Sequence, residues 1–249
     1  MAKNKSLFKI EGTLDDVTFY KSADGYLVRT KGGVSRERMM KDPAFERTRE
    51  NMGEFGHCAS MGKMLRSATD GLAKKAKDSK LSSRLQKAMS EVKKLDGHSA
   101  RGQRKVSEGV CTDAGRNVLK GFDFNMNAPL KSVLDFPIEL DVESGKTVLT
   151  HFKPKEDLNY PQGATHFSLQ SAFLNLDFST GIYNIKKSDV LNVPIDLNES
   201  TLIMDPNGAP EGSGTHFYFL FIAFYQEVNG ELYLLKNGSY NVLNIIGVV

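Results

Sequence analysis

Residues 214–248 read GTHFYFLFIAFYQEV, NG, ELYLLK, NG, SYNVLNIIGV. Two Asn-Gly pairs, Asn229-Gly230 and Asn237-Gly238, separate three apolar runs. Asn-Gly is the strongest short hairpin signal, because a type I′ turn needs positive φ at both central residues. The stretch therefore predicts three antiparallel strands joined by tight turns. In the first run Phe217, Phe219, Phe221, Ala223 and Tyr225 share one face, and Tyr218, Leu220, Ile222 and Phe224 share the other. A strand apolar on both faces has core on one side and more protein on the other.

Upstream there is an echo. Thr165-His166-Phe167 and Thr215-His216-Phe217 both follow Gly-containing turns, and each run reaches an Ala-Phe pair, at Ala172-Phe173 and Ala223-Phe224. The one-residue difference in offset is what a β-bulge absorbs. We read the two long strands as equivalent central strands in two halves of a sandwich. Alternation continues through Phe122 and Phe124, through Ile138, Leu140 and Val142, and through 147–152, 165–178, 193–197 and 201–204. Seven or more closely spaced strands without intervening helices predict an antiparallel, immunoglobulin-like β-sandwich over residues 121–249.

The preceding segment, 34–120, has a helical period. Asp42-Pro43 reads as an N-cap followed by a first-turn proline. Phe45, Thr48, Met52, Phe55, Ala59 and Gly62 recur at steps of three and four, with Gly53, Gly56, Ala59 and Gly62 as a small-residue seam inviting close backbone approach. Leu81, Leu85, Ala88, Met89, Val92 and Leu95 form a second, clearer stripe. Lys74–Lys80 is a basic connector, and the glycine-interrupted stretch Ser99–Lys120 offers Val106, Val110, Val118 and Leu119 for burial. Residues 1–33 predict a small β-meander with a turn at Asp24-Gly25. A hairpin alone is marginal in water, so this segment requires a host in its own chain or a neighbour's. The expected class is α+β, in three parts: 1–33, 34–120 and 121–249.

Charge is divided along the chain. Of a net +3, residues 1–120 carry +11 and residues 121–249 carry −8. Such asymmetry suits a polyanion partner or head-to-tail attraction between copies, and it also arises when helices simply carry more Lys and Arg than strands. Two cysteines, Cys58 and Cys111, make no disulfide framework, so a reducing cytoplasm is the default compartment. The opening MAKNKSLFKIEG has no apolar core of a secretory signal, and export by another route stays open. No apolar run approaches the ~20 residues of a membrane span.

Chemistry is hard to find. There is no H-E-x-x-H, C-x-x-C, phosphate-binding glycine loop or G-x-S-x-G elbow. His151, His166 and His216 would hold a metal only if the strand starts cluster at one end; otherwise Thr-His pairs fasten the strand starts by hydrogen bonds. Asp15-Asp16 sits in a turn, and the loop 205–208 lacks the carboxylates of a calcium site. The expectation is no enzyme, no cofactor and no metal. The leading reading is a structural protein that self-associates into a filament, tube or phage-tail-like array, with Leu7, Phe8, Ile10, Ile245, Ile246 and Val248 as assembly contacts. The alternative is a nucleic-acid-associated protein gripping phosphates with Lys93, Lys94, Arg101, Arg104 and Lys105, although stacking aromatics are missing there. A ligand-binding sandwich is a third, weaker reading.

The spaced motifs IEGTLDDVTFYKSADGYLVRTKGGVS, DPAFERTRENMGEFG, GFDFN and GATHF resemble those of an uncharacterised bacterial protein family of about 250 residues. The resemblance covers most of the chain. It implies that the whole chain is one evolved unit, and it transfers no site residue.

Overall fold

Four short strands open the chain: β1 (Ala2–Lys3), β2 (Gly12–Leu14), β3 (Val17–Ser22) and β4 (Gly25–Thr30). The structure is a computed structural model that describes all residues except Met1, 5–7 and Lys31, and the side chains of Lys236 and Asn237. The strands form an antiparallel sheet in the order β1-β4-β3-β2. Two-residue loops set its register. Leu14 lies opposite Val17 across Asp15-Asp16, with Asp15 at φ 47°, and Ser22 lies opposite Gly25 across Ala23-Asp24. The second turn thus falls one residue before the predicted Asp-Gly. Opposed residues share a face, so Leu14, Val17, Phe19 and Val28 make one apolar surface.

A short helix α1 (Arg36–Lys41) follows, capped by Ser35, whose hydroxyl accepts from Arg38 N. Asp42 then caps a 3₁₀ turn, Pro43–Phe45, accepting from Ala44 N at 3.0 Å, as the Asp-Pro pair predicts. Contacts group Met1–Arg49 as one unit and Glu50–Val249 as another. Among the described residues of the first unit, none is buried.

The second unit holds most of α2 (Glu46–Ala68), then α3 (Leu72–Lys75), α4 (Leu81–Lys94), α5 (Val106–Val110), α6 (Asp113–Leu119) and α7 (Leu130–Val133). The remaining elements are β5 (Glu139–Leu140), β6 (Thr147–Phe152), α8 (Pro154–Asp157), β7 (His166–Leu176), β8 (Tyr183–Lys187), β9 (Leu191–Pro194), β10 (Ser200–Met204), β11 (Thr215–Val228), β12 (Glu231–Leu234) and β13 (Val242–Val248). The chain is α+β, with antiparallel sheets filling its C-terminal part.

The apolar run Thr215–Val228 is β11, and it organises the unit. It pairs with β7 on one side along Thr215–Tyr225. On its other side β13 pairs with Phe217–Ile222 and β12 with Tyr225–Val228. Its two faces go to two cores. Phe217, Phe219, Phe221 and Ala223 meet Leu65, Leu85, Met89 and Val92 of the helices. Leu220, Ile222 and Phe224 meet Leu149, Phe152, Leu202 and Met204 of a second, three-stranded sheet in the order β10-β6-β5. Each large side chain so buried contributes about 1.5–3 kcal/mol.

Further expectations differ in the structure. The long strands β7 and β11 are direct antiparallel neighbours in one sheet, not counterparts in two halves. Asn229-Gly230 is the expected turn, with φ 55° and 83°, but Asn237-Gly238 is not a hairpin. A 3₁₀ turn, Leu235–Gly238, carries the chain past β12 so that β13 can continue along the same edge of β11. Finally, α2 is continuous through Gly53 and Gly56 but buries Cys58, Met61, Leu65 and Ala68, leaving Met52 52% and Phe55 64% exposed. Of its three glycines, Gly62 is the one where a Cβ would meet another helix's side chain at van der Waals range, that of Leu85. Tighter backbone approaches lie elsewhere: a Cβ on Gly109 would fall 2.0 Å from the Val92 carbonyl oxygen, and one on Gly115 2.0 Å from the Gly109 carbonyl oxygen.

Candidate functional site

Residues 129–140 are mostly loop, and of the strand expected from Ile138, Leu140 and Val142 only Glu139–Leu140 forms. Pro137 lies between Phe136 and Ile138 and supplies no N–H to a ladder; pairing with β6 is confined to Glu139 and Leu140, and Leu134 makes a single bridge to Leu158. One turn of helix, α7, turns Leu130 and Val133 inward, and Phe136 packs edge-on against Phe152 with ring centres 5.2 Å apart. Between this loop and the flank of β13 lies an open groove of about 640 Å³. Its apolar walls come from Leu130, Leu134, Phe136, Ile138, Leu140 and Ile246, and Lys120, Lys131, Asp123 and Asp135 stand in its lining. Asp123 is already committed, its Oδ1 accepting from Leu130 N at 2.9 Å and from Asn244 Nδ2 at 2.8 Å.

The groove runs beside a partly covered strand edge. Gly121 N donates to Ile245 O, Ile245 N to Phe122 O, and Phe124 N to Leu243 O, at 2.7, 3.1 and 2.8 Å. Beyond Ile245, no such bond joins this segment to β13 among the described residues. A register shift between β13 and β11 leaves Ile246 as an extra residue between Ile245 and Gly247, and this separates the predicted contacts. Ile245 is fully buried toward the helices, and Val248 packs half-buried against the same core. Ile245 and Ile246 both border the groove, but only Ile246 is part-exposed there, packing toward the second core. At the other end of the chain Phe8 is 78% and Ile10 52% exposed, and Leu7 lies outside the described residues.

The five predicted phosphate contacts are mostly spent within the chain. Glu54, buried on α2, receives Arg104 Nε and Nη2, each at 2.8 Å, Gly102 N at 2.9 Å, and a short bond from Lys93 Nζ. The Arg104 guanidinium above all, with Lys93 and Gly102 N, holds the Glu54 carboxyl far below the usual carboxylate range against the cost of burial. Asp96 organises the neighbouring loop through the amides of His98, Ser99 and Lys105. Its carboxyl is likewise depressed: burial raises it, and the amide donors outweigh burial. Arg101 pairs with Glu50 at 3.2 Å and Lys94 with Glu91 at 2.9 Å. Of the set, only the exposed Lys105 side chain has no hydrogen bond or ion pair among the described residues.

The histidines stay apart for a topological reason. Antiparallel pairing sets His166 opposite Tyr225 and His216 opposite Asn175. Nine residues of β7 separate those positions, about 30 Å at ~3.4 Å per residue. His151, at φ 58°, instead pairs with Glu199 at 2.6 Å. Thr165 behaves as a fastening at the strand start: its hydroxyl contacts His166 Nδ1 at 3.0 Å and accepts from Glu227 N at 2.7 Å. Among the described residues no group of three His, Cys, Asp or Glu side chains is placed to hold a metal ion. Nor is any described helix long and apolar enough to cross a membrane. Comparison with protein-family models, with curated proteins and with solved structures finds no match to this chain.

Proposed function

We propose that this is a non-enzymatic assembly module, in which the N-terminal arm of one copy seats in the groove beside β13 of another. The carrying observation is the mismatch between the two units. Residues 1–49 form a four-stranded sheet and a helix without one buried residue among those described, so the described residues of this unit make no core. Sheets of this size need a covered apolar face for independent stability. The second unit has two full cores and, beside its last strand, an unfilled apolar groove. The arm suits it chemically. Phe8 and Ile10 alternate with Lys9, so an extended arm presents two large apolar side chains on one side and a cation that can face Asp135 on the other. The head-to-tail sense matches the charges of the two halves.

In this reading the β5-β6-β10 layer and the larger sheet make a sandwich of immunoglobulin-like layering, with the helices added outside it. Their shared core supplies a rigid wall for the groove. The bacterial family resemblance, with the whole chain as one evolved unit, agrees with two halves that serve one contact. The phosphate-gripping alternative is less favoured, since four of its five cations are ion-paired inside the chain.

Light scattering on size-exclusion fractions tests the proposal. The wild-type protein should exceed its 27.6 kDa monomer mass increasingly with concentration. Ile10→Asp and Ile246→Asp should each give a monomer, with circular dichroism confirming the fold. Mixing the two variants should restore a dimer that cannot extend, because one still supplies the groove and the other the arm. A wild-type monomer at every concentration would sink the idea.

A further inference from the structure

Where α2 ends, the chain makes a fixed turn. Thr69 is fully buried; its hydroxyl donates to Arg66 O at 2.7 Å and accepts from Ala73 N at 3.2 Å. Asp70 and Gly71 follow at φ 47° and 87°, and α3 starts at once. The turn and the connector to α4 enclose a cleft of about 490 Å³. Its floor is the buried Ala73 and Leu81, and four cationic side chains line it: Lys63, Arg66, Lys74 and Lys77. A smaller hollow of about 340 Å³ adjoins it and shares Arg66, Lys77 and Leu81.

The charge here is uncompensated. The two carboxylates at the cleft are taken by cations outside the quartet: Asp70 by Lys187 at 2.6 Å, and Asp78 by Arg84 at 2.5 Å. None of the four lining cations forms an ion pair among the described residues. Arg66 is anchored by one bond, Nη1 to Ser82 Oγ at 2.7 Å, while its Nε is buried without a partner. A buried donor left in this way costs free energy that a ligand can return. Lys63 and Arg66, three apart on one helix, are neighbours that repel. Elsewhere in this chain, as at Glu54, converging cations surround a carboxylate; here they surround a hollow.

We propose that this cleft binds a compact, multiply charged phosphate anion, with two or more phosphates spread across Arg66, Lys63, Lys74 and Lys77. Arginine's planar fork and three mobile ammonium groups suit phosphate oxygens. The volume falls in the range of small-ligand pockets. No aromatic side chain is present in the lining to stack a base, so the phosphates themselves are the recognised group. The inference is independent of assembly through the arm.

The test is isothermal titration calorimetry of the full chain with inorganic tripolyphosphate at low and physiological salt. Tripolyphosphate should saturate at one per chain and weaken with salt. Lys74→Gln/Lys77→Gln alters only exposed side chains and should cost at least tenfold in affinity at unchanged thermal stability. Arg66→Lys should also weaken binding. A nucleoside triphosphate binding equally well would mean that a bare phosphate chain suffices; tenfold tighter binding would identify the phosphate tail of a nucleotide as the source. No saturable heat at millimolar ligand, or equal affinity in the double variant, overturns the proposal. So does single-stranded DNA that binds without competition from tripolyphosphate.

Discussion

Replacing Glu54 by Gln tests how the helical layer is held. The wild-type carboxylate accepts four charge-assisted or main-chain hydrogen bonds from Arg104, Lys93 and Gly102. Its side chain is 3% exposed, that of Lys93 11% and that of Arg104 28%. Glutamine keeps one acceptor oxygen and points an NH₂ at a cation. Hydrogen bonds to charged groups contribute about 1.5–3 kcal/mol each, but they do not add. Removing one member of a buried ion pair costs about 3–5 kcal/mol. Arg104 can recover some water, which places the expected loss near the lower bound, about 3 kcal/mol. Urea unfolding followed by far-ultraviolet circular dichroism at pH 7 measures it. Because Arg104 chiefly depresses the folded carboxyl, this stability exists above the unfolded pKa, ~4.3, and disappears as pH falls below it. The gap between wild type and variant should therefore close in acid. A cycle with Lys93→Met should be non-additive by more than about 0.5 kcal/mol. A loss under about 1 kcal/mol, or additivity, would refute the assignment of Glu54 as the layer's tie.

Tyr218 is buried and its hydroxyl donates to the Val142 carbonyl, so Tyr218→Phe should cost about 1 kcal/mol in the same urea assay. Burial, aided by Asp141, pushes its phenol up to about 12. The neutral form is thus favoured in the fold, and the wild-type advantage should be lost as pH rises from about 10 through 12. Gly109→Ala sets a methyl against the Val92 carbonyl and should destabilise by about 1–3 kcal/mol or more, read as a fall in the urea midpoint. A thiol reagent should modify the exposed Cys111 quickly and the buried Cys58 only in denaturant, since burial raises the Cys58 thiol's pKa and bars access.

Local chemistry explains what could be read from the residues. The two faces of β11 were legible because side chains alternate strictly along a strand, and Phe217 and Leu220 do meet different cores. The stripe on α4 was legible because it is continuous. On α2, two candidate stripes compete; the buried one contains Glu54, and its partners Lys93 and Arg104 lie 39 and 50 residues away, so neighbouring sequence cannot announce it. The pairing of β7 with β11 is equally long-range: the repeated Thr-His-Phe suggested equivalence where antiparallel pairing sets the strand starts at opposite ends. The groove beside β13 was hidden because the alternation of Ile138, Leu140 and Val142 reads as a strand, of which only Glu139 and Leu140 pair. The cationic cleft was half visible as the basic connector 74–80, but nothing local told that Lys63 and Arg66 close it.

Strand β11 also sets the order in which the polypeptide can mature. The helices through α6 are complete by Leu119; β7 then adds Ala172, Leu174 and Leu176 to the core they share, and the rest of that sheet surface waits for residues 215–248. At a synthesis rate of roughly 5–20 residues per second, that gap lasts on the order of 10 s. Until then Leu65, Leu85, Met89 and Val92 have at most the face of β7 to lie against, and their core closes only when the last long strand slots between neighbours made before and after it.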